Sequence, residues 1–505
     1  MNQCLNMSKR TIKSMSEGPA SKGLDTVFNP SSVAVIGASS KFGKWGQRVL
    51  ANIVSGDFKG RIYPVNPREK TLCGLPVYRR VQDIPEMVDL AFVCTPANTV
   101  PAVLEACAEK GIKGIVAITS GFRETDATGK QLEDRIASIC RKEGLTLIGP
   151  NTMGIICPYA DLFGMGAPGR PRRGRVAFVS QSGNLGNQMI QWAEKQGVGI
   201  SLFVGSGNEA VTNIVDFLEY LETDPHTSIV LYYLENINDG RHLIDVAKRL
   251  NRNKPVIVLK GGRTPAGQVA SASHTGSMSV EMNTFIGACN QAGLLQASVP
   301  SELLDLSAGF SSLPLPRGNR IGIVTLGGGW GVVTADECNE KGLVIPCLPD
   351  IIIEKIGRHL PPFWSKGNPV DMVGTEDREV PLLAVEELLK WDGIDAVISL
   401  GMVGLNESIR LMIEATLQAD PSASPGFMRH IDHFNREYEE RYIARVVDLM
   451  EIYEKPVIGV SLVASNKTVR PVPGKRYSGV FYQTPESAVN VLARMVAYYH
   501  FRAQS

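Results

Sequence analysis

Two stretches of this chain align on each other without a gap. RVAFVSQSGNLGNQMIQWAEKQGV begins at Arg175 and RIGIVTLGGGWGVVTADECNEKGL begins at Arg320. Each reads as a β-strand, a Gly-rich turn and a helix that closes at KQG or EKG. Two further pairs follow. KPVIVLK from Lys254 matches KPVIGVS from Lys455, and AGLLQASVPSELLDL resembles SGVFYQTPESAVNV, both running from a strand into a Ser/Thr- or Pro-led helix start. A chain with this pattern builds two copies of one α/β unit. The later copy also carries an extra charged helical stretch, HIDHFNREYEERYIARVVDLMEIYE. Duplication supplies an internal control. A polar residue found at a loop of one copy alone is a candidate for chemistry, and a shared one is a candidate for scaffold.

The same rhythm runs upstream of both copies. SVAVIGAS, GRIYPVNP, VDLAFVCTP, GIKGIVAITSG and LTLIGP are short, β-branched runs spaced to leave room for one helix each. That is the βαβ alternation of a parallel, doubly wound sheet. Three domains are expected, over 24–150, 151–300 and 315–505, with a charged helical insert at about 420–450 and the Pro-rich SSLPLPRGNR as the last link. A chain of 505 residues with 44% hydrophobic content has ample core for all three. With 52 basic against 51 acidic residues, nothing favours nucleic acid or an anionic membrane. No apolar run approaches the roughly 18 residues of a membrane span. Nine cysteines without CxxC pairs or metal-ligand spacing suit reduced thiols and no metal site. Residues 1–23 lack an apolar h-region and read as a flexible tail, so a cytoplasmic location is expected.

Five places carry candidate chemistry. In VIGASSKFGKWG, a strand delivers Gly37, Ser39 and Ser40 into a turn with Lys41, Gly43, Lys44 and Gly46, and a helix follows. Backbone N–H groups at such a helix start can cradle phosphate. The spacing is not G-x-G-x-x-G, and the second strand ends in YPVNPREK. Asn66 and Pro67 stand where an acid would take the ribose hydroxyl of NAD, and Arg68 and Lys70 follow. Those charges suit a phosphate-rich nucleotide such as coenzyme A. Within LKGGRTPAGQVASASHTGSMS, His274 is expected in a loop of small residues, Ser273, Thr275 and Gly276, accessible enough to accept a phosphoryl group. The third domain has no histidine at the equivalent place. Glu235, in IVLYYLENIND, ends an apolar strand at the edge where open α/β sheets bind ligands, and a carboxylate there can hold an imidazole N–H. The matching strand DAVISLGMVG offers Gly401 or Met402 instead. In SQSGNLGNQ, Ser182, Gly183 and Asn184 open a helix whose free N–H groups suit an anion. Finally, Asn151 and Thr152 sit on a Gly-rich bend at the end of LTLIGP, small polar side chains placed as if over a ligand.

Taken in order, SVAVIGAS…YPVNP…VDLAFVCTPA…GPN, SQSGNLG, YLENIND and ASHTG resemble the NDP-forming acyl-CoA synthetases. That family includes ADP-forming acetate–CoA ligase and, more distantly, the alpha subunit of succinyl-CoA synthetase. GNRIGIVTLGGGWGV…LPPFWSKGNPVDMVG continues the likeness into the third domain. The resemblance implies a Rossmann-like CoA-binding domain followed by two flavodoxin-like, succinyl-CoA synthetase-like domains. It places the CoA turn on Gly37 to Gly43, a basic contact near Arg68 or Lys70, and a further contact on Thr95, Pro96 and Ala97. It matches His274 to the phosphorylated histidine and Glu235 to its supporting glutamate. It matches Ser182, Gly183 and Asn151 to residues that hold phosphate. Many relatives have cysteine at Thr152, so no thiol role carries over.

The implied reaction converts acyl-CoA, phosphate and ADP into carboxylic acid, CoA and ATP through an acyl phosphate and a phosphohistidine. No G-x-x-x-x-G-K-[ST] loop occurs, and three doubly wound domains use the chain. ATP or ADP, with Mg²⁺, is therefore expected on a separate ATP-grasp beta-type subunit. Two alternatives stand beside this reading: a non-catalytic CoA-binding regulator and an NAD(P)-dependent oxidoreductase.

Overall fold

A computed structural model describes residues 19–504, apart from 238, 276–280, 376, 421–424 and 462–466. At 19–22, 271–275, 406–407, 425 and 427–432 it describes the backbone alone. Residues 1–18 of the expected tail thus lie outside the described residues. The helix Pro19–Phe28 takes in the rest of it, with Leu24, Val27 and Phe28 buried.

The first sheet holds β1 (Ser32–Ile36), β2 (Arg61–Val65), β3 (Leu90–Val93), β4 (Gly114–Ala117) and β5 (Thr146–Ile148), all parallel, in the order 2-1-3-4-5. Every residue of β1, β3 and β4 is buried, which is why these strands read as continuous apolar runs. The helix α1 (Trp45–Ser55) crosses from β1 to β2 and buries Val49, Leu50 and Ile53 along one face.

The second sheet begins with a hairpin, β6 (Gly154–Cys157) and β7 (Leu162–Met165). Its parallel body is β8 (Arg173–Ser180), β9 (Ile200–Gly205), β10 (Ile229–Leu234), β11 (Val256–Lys260) and β12 (Leu295–Ala297), in the order β12-β11-β10-β8-β9, with β6 added antiparallel to β9. Its helices include α2 (Gly183–Gln196), α3 (Pro265–Thr275) and α4 (Pro300–Ser312).

The third sheet repeats that winding. After β13 (Ile321–Thr325) and α5 (Gly328–Glu340) come β14 (Val370–Asp371), β15 (Ala396–Leu400), α6 (Pro425–Tyr453), β16 (Val457–Val460), β17 (Val469–Pro471), β18 (Ser478–Tyr482) and α7 (Pro485–Gln504). The order is β14-β13-β15-β16-β18-β17, parallel except for the edge strand β17. In each sheet the first parallel strand takes the second on one side and the third on the other. The carboxyl ends of those strands therefore frame a crevice three times over.

Residues shared by the two copies make matching bonds. Lys254 Nζ donates to Leu221 O and Asp224 O at 2.6 and 2.7 Å, and Lys455 Nζ donates to Leu389 O and Trp391 O at 2.8 Å each. Ser180 Oγ donates to Ser182 O at 2.7 Å, and Thr325 Oγ1 to Gly327 O at 2.8 Å. The charged stretch is only partly an addition. Tyr442, Ile443, Val446, Val447, Leu449 and Met450 of α6 are buried at helical spacing, so this half is the crossover helix between β15 and β16.

The units share core. One buried cluster runs through the second and third, another through the first and second. Among the described residues no helix is long and apolar enough to cross a membrane.

Candidate active site

At the end of β1, Gly37 turns with φ 87° and donates its N–H to Val65 O at 3.0 Å. The start of α1 lies on that turn. A Cβ at Gly46 would stand 2.0 Å from Gly37 O, and one at Gly37 would stand 2.9 Å from the Cys94 carbonyl. Only glycine lets helix and strand approach this closely. Beside the turn opens a cleft of about 560 Å³, within the usual range of ligand pockets, lined by Gly37, Ser39, Lys44, Asn66, Arg68 and Thr95–Ala97 with Thr119 and Ser120.

Asn66 spends its amide on the main chain. Nδ2 donates to Ala38 O at 2.6 Å, and Oδ1 accepts the Arg68 N–H at 2.8 Å. Ser40 donates both its N–H and its hydroxyl to Glu69 Oε1, at 3.3 and 2.6 Å, and that hydroxyl bond holds the Glu69 carboxyl below its usual range. Ser40, Lys41, Gly43, Pro67 and Lys70 do not line the cavity. Thr95 Oγ1 is buried without a hydrogen-bond partner in the protein, a cost of about 1–3 kcal/mol that a hydrogen bond from a ligand in the cleft would offset. Burial alone pushes the neighbouring Cys94 thiol up to about 12, so no thiolate stands there.

The bend that follows β5 meets the second sheet. Asn151, at φ 59°, donates its N–H to Thr119 O at 2.8 Å, and its Nδ2 to Asn208 Oδ1 at 3.3 Å. Gly207, at φ 62°, lies so close that a Cβ would stand 2.3 Å from Pro150 O. Thr152 is buried, its hydroxyl donating to Gly205 O and accepting the Gly154 N–H at 3.0 Å. One function of that hydroxyl therefore ties the bend to the end of β9 and the other closes the bend onto the start of β6. The next residue, Met153, touches the start of α2, where a Cβ on Gly183 would stand 2.4 Å from Met153 Cγ. Ser182 caps α2, its Oγ accepting the Leu185 N–H at 3.5 Å, and Asn184 is exposed on the first turn. The Asn151 bend and the Ser182–Gly183 helix start are thus neighbours.

Glu235 follows β10 and is 5% exposed. Its N–H donates to Gln181 Oε1 at 2.6 Å, and its C=O accepts from Lys260 Nζ at 2.7 Å. Burial, and then the Glu235 carboxylate beside it, raise the Tyr233 phenol well above its usual range. Burial also lowers the Lys260 amine, with Glu235 opposing that shift. His274 differs from expectation. Its backbone belongs to the last turn of α3 rather than to a loop, because the small residues before it, Ala270 to Ser273, continue a helix as readily as a turn. The side chains of 271–275, and Gly276, lie outside the described residues.

Three family models match the chain in sequence: a CoA binding domain over 31–158, a succinyl-CoA ligase like flavodoxin domain over 173–310 and a ligase-CoA domain over 321–402. The alpha subunit of ADP-forming acetate–CoA ligase II from Pyrococcus furiosus is 40% identical over 380 residues, covering 75% of this chain and 82% of the relative. A solved structure of the dinucleotide-forming acetyl-coenzyme A synthetase 1 of Candidatus Korarchaeum cryptofilum, in complex with phosphate and ADP, superposes with a TM-score of 0.80. It is 31% identical and covers 95% of this chain and 97% of that one. The chain belongs to the ADP-forming acyl-CoA synthetases. The ADP-forming acetate–CoA ligase of Methanocaldococcus jannaschii is 39% identical over 351 residues, but only 49% of that longer relative is covered.

As an ADP-forming acyl-CoA synthetase, this protein is an acid–thiol ligase whose first unit binds CoA, and the oxidoreductase alternative is set aside. Sequence reasoning passed over three residues that the synthetase brings to these sites: Gln181, Glu209 and Glu69. Gln181 was open to the copy comparison, since the gapless alignment puts Leu326 at its position. Glu69 lies in the first unit, which has no copy, and the loop that bears Glu209 falls outside the gapless alignment.

Proposed function

We propose that this synthetase interconverts acyl-CoA, phosphate and ADP with a carboxylic acid, CoA and ATP through a phosphohistidine at His274. The observation that carries the reading is the meeting of the Asn151 bend with the Ser182–Gly183 helix start. It joins the CoA-binding unit to the unit bearing Glu235 and His274. Acyl-CoA enters as substrate, with Thr95 Oγ1, Arg68, Lys44 and the Gly37 turn as its contacts. Phosphate, held by Asn151 and the N–H groups of α2, attacks the thioester carbonyl, so a C–O bond forms and the C–S bond breaks. The CoA thiolate leaves and takes up a proton. An imidazole nitrogen of His274 then attacks phosphorus, and the carboxylate departs as the P–O bond to the acyl group breaks. ADP accepts the phosphoryl group from His274 to give ATP. The Glu235 carboxylate stabilises positive charge on the ring, which favours nucleophilic attack and later departure. Thr152 acts as a brace for the bend.

The nucleotide and Mg²⁺ are assigned to an ATP-grasp beta-type subunit, supported by the likeness to chains named as alpha subunits. A small carboxylic acid is the co-substrate, and a cytoplasmic location suits the free cysteines among the described residues. The domain divisions at about 150 and 300–315 complete this reading.

The experiment supplies labelled ATP, Mg²⁺ and the partner subunit. Label is expected on His274 in an acid-labile, base-stable bond, because protonating a phosphorylated imidazole makes it a better leaving group. His274→Asn should abolish both labelling and acyl-CoA synthesis while CoA still binds. Label elsewhere, or synthesis surviving in that variant, overturns the mechanism in favour of a CoA-binding regulator.

A further inference from the structure

Glu235 is held by side chains at both ends of its own residue. Gln181, after β8, takes its N–H, and Lys260, ending β11, donates to its C=O. These are the two strands that flank β10. Gln181 Oε1 accepts the Asn236 N–H as well, at 3.1 Å.

Gln181 is anchored in turn. Its Nε2 donates to Glu209 Oε1 and Asn236 Oδ1, each at 3.1 Å. Glu209 Oε1 also accepts from Ser206 Oγ at 2.7 Å. Glu209 is 8% exposed and adopts φ 56°, a left-handed state that costs a side chain of this size about 1–2 kcal/mol. Burial, the largest influence on it, holds its carboxyl above the usual range despite those bonds. The bonds from Gln181 and Ser206 oppose both penalties.

The duplication points the same way. The third unit has Leu326 at the position of Gln181, Ser461 at that of Lys260, and Gly401 or Met402 at that of Glu235. Shared residues keep their bonds in both copies, as Ser180 and Thr325 do. The clamp and its carboxylate therefore occur together in one copy and are absent together from the other.

We propose that Gln181, anchored by Glu209 and opposed by Lys260, is a positioning residue that fixes the main chain of Glu235 so that its carboxylate meets the imidazole of His274. The inference rests on the phosphohistidine reading above. A carboxylate that must stabilise an imidazolium has to be held to within about 0.5 Å, and two side-chain bonds at its own backbone do that.

The test uses the full chain with its partner subunit. Gln181→Met keeps the length of the side chain and removes both of its polar functions. It should lower kcat, and the rate of label transfer to His274, by about tenfold to a hundredfold, as for outer supports of catalytic ligands elsewhere. KM for CoA should stay within about twofold, since uniform binding is untouched. Hydrogen exchange of the peptide spanning 233–237 should accelerate. Glu209→Ala should slow transfer in the same direction without contacting Glu235. Unchanged exchange at 233–237, or faster exchange with an unchanged transfer rate, overturns the positioning role while the phosphohistidine reading stands. A wild-type chain that takes no label removes both.

Discussion

Thr95 presents its buried hydroxyl unpaired while its neighbour Thr119 donates to the Thr95 carbonyl at 2.7 Å. A polar atom left unpaired beside a cleft contributes to binding and costs stability when the cleft is empty. Thr95→Val should therefore weaken CoA binding about tenfold, the worth of one hydrogen bond, while leaving the empty protein as stable or slightly more so. Calorimetric titration with CoA and a thermal melt of the free protein check the two halves separately. A melt that drops with unchanged CoA affinity would show a hydroxyl that serves the fold. Thr152 is the opposite case, since both its functions are already bound within the protein. The sequence shows the two threonines as equally suited to a ligand, and only hydrogen-bond partners set them apart.

Among elements, the decisive contact is the interlock of the 149–152 bend with the 206–209 turn. Asn208 N–H reaches Pro150 O at 2.9 Å, and Ala210 N–H reaches Gly149 O at 3.1 Å. Asn208 Nδ2 extends the joint to Glu124 and Glu133 at 2.6 and 2.8 Å. Gly207→Ala meets both a left-handed φ and a Pro150 oxygen at 2.3 Å. It should cost roughly 2–4 kcal/mol and slow phosphoryl transfer by displacing Asn151, with CoA affinity of the first unit little changed. Chemical denaturation and single-turnover labelling provide the measurements. The strands and helices that carry this joint were legible from β-branched runs and turn glycines. The joint itself was not, because neither stretch signals the other along the chain.

Across the whole molecule, the second and third units are tied through α4, β18 and α7. Tyr482 Oη donates to Asp305 O at 2.6 Å, and Ser487 Oγ to Asp305 Oδ2 at 3.0 Å. Burial, reinforced by nearby Glu302 against the Ser487 bond, raises the Asp305 carboxyl to about 6. An acid whose pKa is raised on folding contributes stability that is complete below its unfolded value, ordinarily about 3.9, and lost as pH rises through the folded value. Asp305→Asn should therefore melt higher than wild type at pH 8, by an amount equivalent to at most roughly 3 kcal/mol. That advantage should shrink as pH falls from about 6 towards 4. Paired melts across that range check it, and a constant difference would show that Asp305 titrates normally.

What the sequence determined by itself was local and periodic. Strand–turn–helix order, the repeat of that order from Arg175 and Arg320, and the Gly-rich turn at Gly37 depend on residues near one another along the chain. The repeat also marked Glu235 as particular to one copy. The tertiary structure alone decided partners. It turned Ser40 towards Glu69, committed both functions of Thr152 to backbone, left Thr95 unpaired, and made the second half of a charged helix into core. It also joined Gln181, Glu209 and Lys260 around Glu235, residues from different loops and strand ends. Periodicity reports which face of an element is buried. A hydrogen bond depends on the distance and angle between groups that only the packed chain brings together.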